Sequence, residues 1–261
     1  MTAVDEPTAF ARQLKHWRTL RRFSQLDLAI SADTSQRYLS FLEQGRSRPG
    51  RTMVVRLAES LGLSLREHNA LLLAAGFAPI FPESTLETPE LAPIKAALDR
   101  ILDGHMPYPA VVVRPYGILV GANAAFDVLT EGSAPELLAP PINVLRLALH
   151  PRGLARRVLN LPEWGRHVTE SLRNRALRSP DPELDAFIAE LESYLPEADP
   201  GPDHLGFAVP LRLRSDQGEL RLITTVTSFA TAVDITLSEL HLEAFLPADE
   251  HTAEILRRRR R

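Results

Sequence analysis

Residues 24–49 read SQLDLAISADTSQRYLSFLEQGRSRP, and this stretch decides how the N-terminal part of the chain folds. Ser24 offers a hydroxyl N-cap ahead of Gln25-Leu26-Asp27-Leu28-Ala29, with Asp27 at the third helical position, suited to the positive helix end. A helix therefore starts there, with Leu26, Ala29 and Ile30 on one face. Asp33-Thr34-Ser35 interrupts that periodicity and offers new caps, so a second helix begins near Ser35. In it Leu39 and Leu42 face inward, and Gly45 ends it before Arg46, Arg48 and Arg51. Ser35, Gln36, Arg37, Ser40 and Phe41 point elsewhere. Gln pairs bidentately with adenine and Arg with guanine in the major groove. Residues at helix ends and loops, such as Ser24, Gln25, Gln44 and Arg46, suit phosphates. A solvated helical bundle with ordinary surface Gln and Arg is the plain alternative.

Around this core, Phe10, Leu14, Trp17 and Leu20 mark a first amphipathic helix. A fourth helix runs from about Thr52 to Leu61. A fifth opens at Ser64, with Glu67 in the capping-box position, and closes at Gly76. The segment from Phe10 to Leu73 resembles the lambda-repressor-like, XRE-type helix-turn-helix family. The likeness rests on Ser24-Gln25, Leu28-Ala29, Tyr38-Leu39-Ser40, Leu42-Glu43, Gly45, Arg46, Pro49 and Leu57-Ala58. The chain departs at Asp33, where many members carry Gly, although Asp tolerates left-handed backbone better than most residues. The resemblance implies base contacts by Ser35, Gln36, Arg37 and Ser40, and phosphate contacts by Gln25, Gln44 and Arg46. Phe41 has two readings, a thymine methyl contact or packing on the next helix.

Composition bounds the remainder. The 261 residues suffice for two domains, and 44% hydrophobic with 24% charged residues describes a soluble globular chain. No apolar run approaches the ~18 residues of a membrane span, and Met1 to Pro7 is too short and polar for a signal peptide. The chain has no cysteine, which excludes disulfide and thiol chemistry and fits the cytoplasm. Its eight histidines show neither HxxxH nor HExxH spacing, so no metal site is expected. The net charge of −3 hides an asymmetry. Residues 1–82 carry 11 Lys+Arg against 7 Asp+Glu, while the remainder carries 19 against 26 and includes five terminal arginines, Arg257 to Arg261. Only the N-terminal part suits phosphate; the acidic body repels DNA and so helps orient the head.

Pro79, Pro82, Pro89 and Pro93 break periodicity among Glu and Thr, giving three regions: a DNA-binding domain over 1–78, a linker over 79–92 and a second domain over 93–261. The second domain mixes helices and strands, making the chain α+β. Helices are expected over 93–102, 124–129, 143–149, 164–177 and 182–195. Strands are expected over 110–114, 118–121, 207–214 and 219–229, the last two joined by Asp216-Gln217-Gly218. Residues 196–203 read as a loop. Val233 to Leu237 reads as a further strand, Leu240 to Phe245 as strand or helix, and Asp249 onward as helix.

The order of strands, helices and an antiparallel meander is that of a PAS-like domain. PYPAVVVRPYGILVGANAAF at 107–126, PPINVLRLALHPRGLA at 140–155, VPLRLRSDQGELRLITTVTSFATAVDITLSEL at 209–240 and FLPAD at 245–249 resemble the MmyB-like ligand-binding domain. The phrase LREHNALLLAAGFAP at 65–79 commonly joins it to an XRE head. The resemblance implies a sensor pocket for a small, largely apolar ligand, with a fatty acid favoured, and no other cofactor.

Such a pocket needs an apolar cavity with a few convergent polar groups. Val111, Val113, Leu119, Leu222, Thr225, Thr227 and Phe229 offer a sheet face, and Val144, Leu145, Leu147 and Leu149 a covering helix. Arg146 and His150, four apart, are placed to clamp a carboxylate or to meet an acidic partner instead. Asn123 serves as helix cap or ligand contact, and Trp164 as pocket wall or packing. An enzyme is not expected, because the Gly-rich phosphate loop, G-x-S-x-G and the cysteine nucleophile are all absent. The terminal arginines read as a solvated, disordered end, with sequence-neutral phosphate contact as the alternative. The expectation is a cytoplasmic, homodimeric transcription regulator that binds double-stranded operator DNA and a small apolar effector. The alternative is a second domain that only dimerises or binds another protein.

Overall fold

The computed structural model describes residues 8–178, 181–196, 209–229 and 231–259. The chain forms two compact units, residues 1–84 with 231–238 and residues 85–230 with 239–261. In the first, five helices follow the expected order: α1 (Ala9–Leu20), α2 (Gln25–Ser31), α3 (Gln36–Glu43), α4 (Arg51–Ser60) and α5 (Leu65–Ala74). The expected capping box of Ser64 with Glu67 is formed, and the Ser24 N-cap closes a second one with Asp27. Leu14, Leu28, Leu39, Leu42, Leu57, Leu71 and Leu72 make the core of this bundle.

The face expected on α2 is corrected. Leu26 and Ile30 are exposed, and the buried side chains are Leu28, Ala29 and Ala32. The stripe is set by how α2 ends: Thr34 N donates to Ala29 O (2.8 Å) and Asp33 N to Ile30 O (3.2 Å), which turns Ala32 inward. Asp33 holds the left-handed position at φ 48°, where Arg56 Nη1 meets its Oδ2 at 3.2 Å.

The second unit is built on one antiparallel sheet in the order β2-β1-β5-β4-β3. Its strands are β1 (Ala110–Arg114), β2 (Ile118–Ala122), β3 (Leu211–Ser215), β4 (Gly218–Ser228) and β5 (His241–Pro247). Residues 207 and 208 of the expected third strand, and 197–203 of the expected loop, lie outside the described residues. Its helices are α6 (Ala92–Gly104), α7 (Asp127–Thr130), α8 (Val144–Leu149), α9 (Leu161–Arg178) and α10 (Pro182–Ser193), followed after the strands by α12 (Glu250–Arg259). Between β1 and β2 the chain turns through Tyr116 (φ 63°) and Gly117 (φ 74°). A Cβ at Gly117 would lie 2.7 Å from Leu145 Cγ, so this turn needs glycine for space as well as for backbone.

The tail reading is also corrected. Arg257, Arg258 and Arg259 form the last turn of α12, where cations suit the negative helix end. They pair with Glu250, Glu254 and Glu131. Arg260 and Arg261 lie outside the described residues.

The expected strand at 233–237 is instead a short helix, α11 (Ile235–Ser238), within the first unit. Asp234 decides this: it is buried, its Oδ1 accepts from Leu237 N (3.3 Å), and its Oδ2 accepts from Ser84 N (3.0 Å). An Asp N-cap thus overrides the β-branched residues after it. Ile235 N donates to Pro82 O and Thr236 Oγ1 to Ser84 O. The first residues of the expected linker are folded too. Asn69 Oδ1 accepts from Ile80 N and Phe81 N, and its Nδ2 donates to Phe81 O at 2.7 Å.

Candidate recognition helix and ligand cavity

The α2-turn-α3 pair presents the expected polar face. Gln36, Arg37, Gln44 and Arg46 are exposed, and Ser40 is half-buried. Ser35 caps α3, its Oγ accepting from Tyr38 N at 3.1 Å, so its hydroxyl already has a structural partner. The Arg37 guanidinium lies over the Phe41 ring, 5.4 Å from its centroid. That stack gives Phe41 a role outside both earlier readings, since it stiffens the side chain expected to read a base. Ser40 and Gln44 are bonded to each other, Gln44 Nε2 donating to Ser40 Oγ at 2.9 Å.

Behind this face lies a group the sequence reading did not single out as functional. Glu43 is buried, and its carboxylate accepts from Arg18 Nε (2.6 Å), Arg18 Nη2 (3.0 Å) and Gln25 Nε2 (2.7 Å). Gln25, an expected phosphate contact, is therefore oriented from α3. Gly45, at φ 74°, ends α3, with Arg46 N donating to Phe41 O and Gly45 N to Leu42 O. This Schellman turn fixes the backbone that carries Arg46.

The second unit holds a partly open cavity of about 430 Å³. Its floor is the sheet face shared by Val111, Thr224, Val226, Glu243 and Phe245, which follows from the pairings Val111↔Glu243, Val226↔Glu243 and Thr224↔Phe245. From α8 come Val144, Leu145, Leu147 and Ala148. From α9 come Trp164, His167, Val168, Ser171 and Leu172, spaced to share one helix face. The wall is thus largely apolar with a few polar groups, the composition of a small-molecule site. Burial pushes the Glu243 carboxyl pKa up.

Of the expected ligand residues, Trp164 lines this cavity, and Asn123, Arg146, His150, Thr225 and Phe229 do not. Asn123 is buried and serves the backbone: its Oδ1 accepts from Ala110 N, and its Nδ2 donates to Leu102 O and Tyr108 O. Arg146 grips Glu190 through Nε (2.6 Å) and Nη2 (2.8 Å), while Tyr194 OH donates to the same carboxylate. Those bonds, the Arg146 pair first, hold Glu190 down to about 2 and raise Arg146. His150 packs edge-on to Tyr194 at 4.8 Å, and its Nδ1 accepts from Arg152 N. Thr225 has the wrong parity on β4, and its Oγ1 bonds Ala244 O. Phe229 follows the end of that strand.

A signal for the true floor was present in β4. Leu220 and Leu222 are buried on the core face, and continuing their alternation leads to Thr224 and Val226 rather than to Thr225 and Thr227. Glu243 was masked because Leu242 and Ala244 beside it are buried as well. β5 is the central strand, covered on both faces, so alternation does not mark its cavity side.

Comparison with known proteins gives a family to each domain. Residues 94–258 match the family model of the MmyB-like transcription regulator ligand binding domain, and residues 9–71 match that of a helix-turn-helix domain. No curated protein matches the chain. Among solved structures, the restriction-modification controller protein C.AhdI from Aeromonas hydrophila is similar at 25% identity over 24% of this chain and 96% of its own, with a TM-score of 0.23. The clp gene regulator ClgR from C. glutamicum is similar at 26% identity over 27% of this chain and 87% of its own, with a TM-score of 0.24. An RNA-binding Light-Oxygen-Voltage receptor is 15% identical over 96% of this chain and 61% of its own, with a TM-score of 0.27.

Proposed function

Because this chain belongs to the family of MmyB-like transcription regulators, matched through the ligand-binding domain at 94–258, we propose that a small apolar effector in the 430 Å³ cavity sets its affinity for an operator. The chain is a DNA-binding helix-turn-helix regulator with a ligand-binding domain. The observation that carries the effector reading is the cavity itself, largely apolar, with His167 and Ser171 the polar groups of its helical wall and Thr224 and Glu243 those of its sheet floor. A fatty acid or a similar lipid-like molecule is the effector class that suits such a wall. The regulator works in the cytoplasm as a homodimer. A single α3 reaches only a few base pairs, and a two-fold pair places two such helices on half-sites about 34 Å apart or a multiple of that. Effector binding would change operator affinity by about 5- to 150-fold, the usual span of such coupling.

The protein acts by binding and not by catalysis. The match to regulator families supports this reading.

Selecting bound duplexes from a random pool tests the DNA reading, and a two-fold symmetric site should be enriched. Native mass spectrometry of the protein purified from cells tests the effector reading. A lipid-sized adduct is expected; protein that is empty and whose melting ignores every apolar compound tried would overturn it. Analytical ultracentrifugation should show a dimer, and a monomer at concentrations that saturate the operator overturns the dimer.

A further inference from the structure

We infer that the effector lies tail inward, with its carboxylate at the rim of the cavity against His167 and Ser171 of α9. This rests on the effector reading above and fixes which end of the molecule is recognised. The lining divides by exposure. Its buried members are all aliphatic or aromatic, among them Val111, Phe126, Leu129, Leu147 and Leu154. Its exposed members are His167 and Ser171 of α9 and Ile223, Thr224 and Val226 of β4, so the opening runs between that helix and that strand.

His167 and Ser171 are four residues apart and share one face of α9. Neither has a hydrogen bond, ion pair or ring contact among the described residues, so both side chains are open to a ligand. An imidazole N–H and a hydroxyl both donate to a carboxylate, and at the rim solvent completes its shell. A carboxylate at the closed end would meet Val111, Phe126 and Leu147 and lose its water with no donor among them in exchange. An alkyl tail gains there, because every methylene leaves water for an apolar wall. Glu243 is the one carboxyl group of the lining among the described residues, and burial pushes its pKa up, which lessens its repulsion of the head. Specificity follows from this polarity: the site measures the tail and tolerates extension of the head into solvent.

The test is calorimetric titration of the full chain with four probes on one chain length: dodecanoate, N-dodecanoylglycine, dodecanedioate and 1-dodecanol. N-dodecanoylglycine lengthens the head and should bind within about threefold of dodecanoate. Dodecanedioate carries a second carboxylate at the far end and should bind about 30-fold weaker or worse. His167→Leu should weaken dodecanoate by about tenfold and 1-dodecanol by less than about threefold, with His167→Gln recovering most of the loss. Ser171→Ala should weaken dodecanoate by about threefold. If a variant fails to fold, the ranking of the probes on the parent protein decides. Dodecanedioate as tight as dodecanoate, rejection of N-dodecanoylglycine, or dodecanoate binding unmoved by His167→Leu overturns the orientation and leaves the effector reading standing. Failure of all four probes to bind the parent overturns the effector reading, and the orientation with it.

Discussion

Glu43 of α3 and Arg18 of α1 are joined by two short hydrogen bonds, of 2.6 and 3.0 Å, with the Glu43 side chain only 3% exposed. The pair locks the recognition helix to the first helix from beneath, and Gln25 is tied to the same carboxylate. Glu43→Ala strands a buried guanidinium and should cost about 3–5 kcal/mol, read by urea unfolding. An unfolding midpoint within error of the parent would remove this pair from the account of head stability.

Arg37 and Arg46 should separate by task. Arg37→Ala should relax discrimination at one base position and cost about 1–3 kcal/mol on the selected operator. Arg46→Ala should weaken all duplexes alike and flatten the salt slope by about one. Anisotropy titrations on cognate and scrambled duplexes at several salt concentrations distinguish the two, and identical behaviour refutes the division.

Asp33 occupies a left-handed position with its carboxylate meeting Arg56. Asp33→Ala keeps the Cβ and removes the local polar partner, so it should destabilise the head by about 1 kcal/mol. Asp33→Gly relieves the backbone and should be close to neutral or mildly stabilising. Thermal melts of the two variants should therefore bracket the parent.

Acid should expose the α8–α10 tie. Glu190 is held at about 2 against an ordinary 4.5, mainly by Arg146. A depressed carboxyl contributes stability above its ordinary value and loses that contribution as pH falls from about 4.5 through about 2. The pair is partly exposed, with side chains at 44% and 34%, so its share is below about 1 kcal/mol. Glu190→Gln should flatten the fall in melting temperature across that window and leave the slope at pH 6 to 8 unchanged.

Trp164 lines the cavity and Trp17 packs on the core of the head. These are the two tryptophans of the chain, so Trp17→Phe leaves a reporter inside the cavity. Its emission should change as a fatty acid is titrated in, and the change should saturate. Unchanged emission at saturation would place the ligand elsewhere.

The head was legible because its signals are local. Ser24, Ser64 and Gly45 act within a few residues of themselves, and the sequence places them as the structure does. The ligand residues were not, because a floor made of β1, β4 and β5 joins Val111 to Glu243 across more than a hundred positions. Arg146 and His150 looked like a clamp from their spacing. Their partners, Glu190 and Tyr194, come from α10, which no spacing rule within α8 reveals. Asn123 similarly looked like a cap, yet it satisfies three backbone groups spread over Leu102 to Ala110.

The piece of chain at 231–238, which belongs to the compact unit of residues 1–84, gives that unit a discontinuous sequence. The polypeptide leaves it after Ser84 and returns only once β4 has been made. A fragment ending at Ser84 would keep the five helices but lose Asp234, the acceptor for Ser84 N, and Thr236, the donor to Ser84 O. On the ribosome the recognition helices can form early, while their unit is completed near the end of synthesis. An excised head therefore lacks part of its own unit, and it should melt below the head of the whole chain.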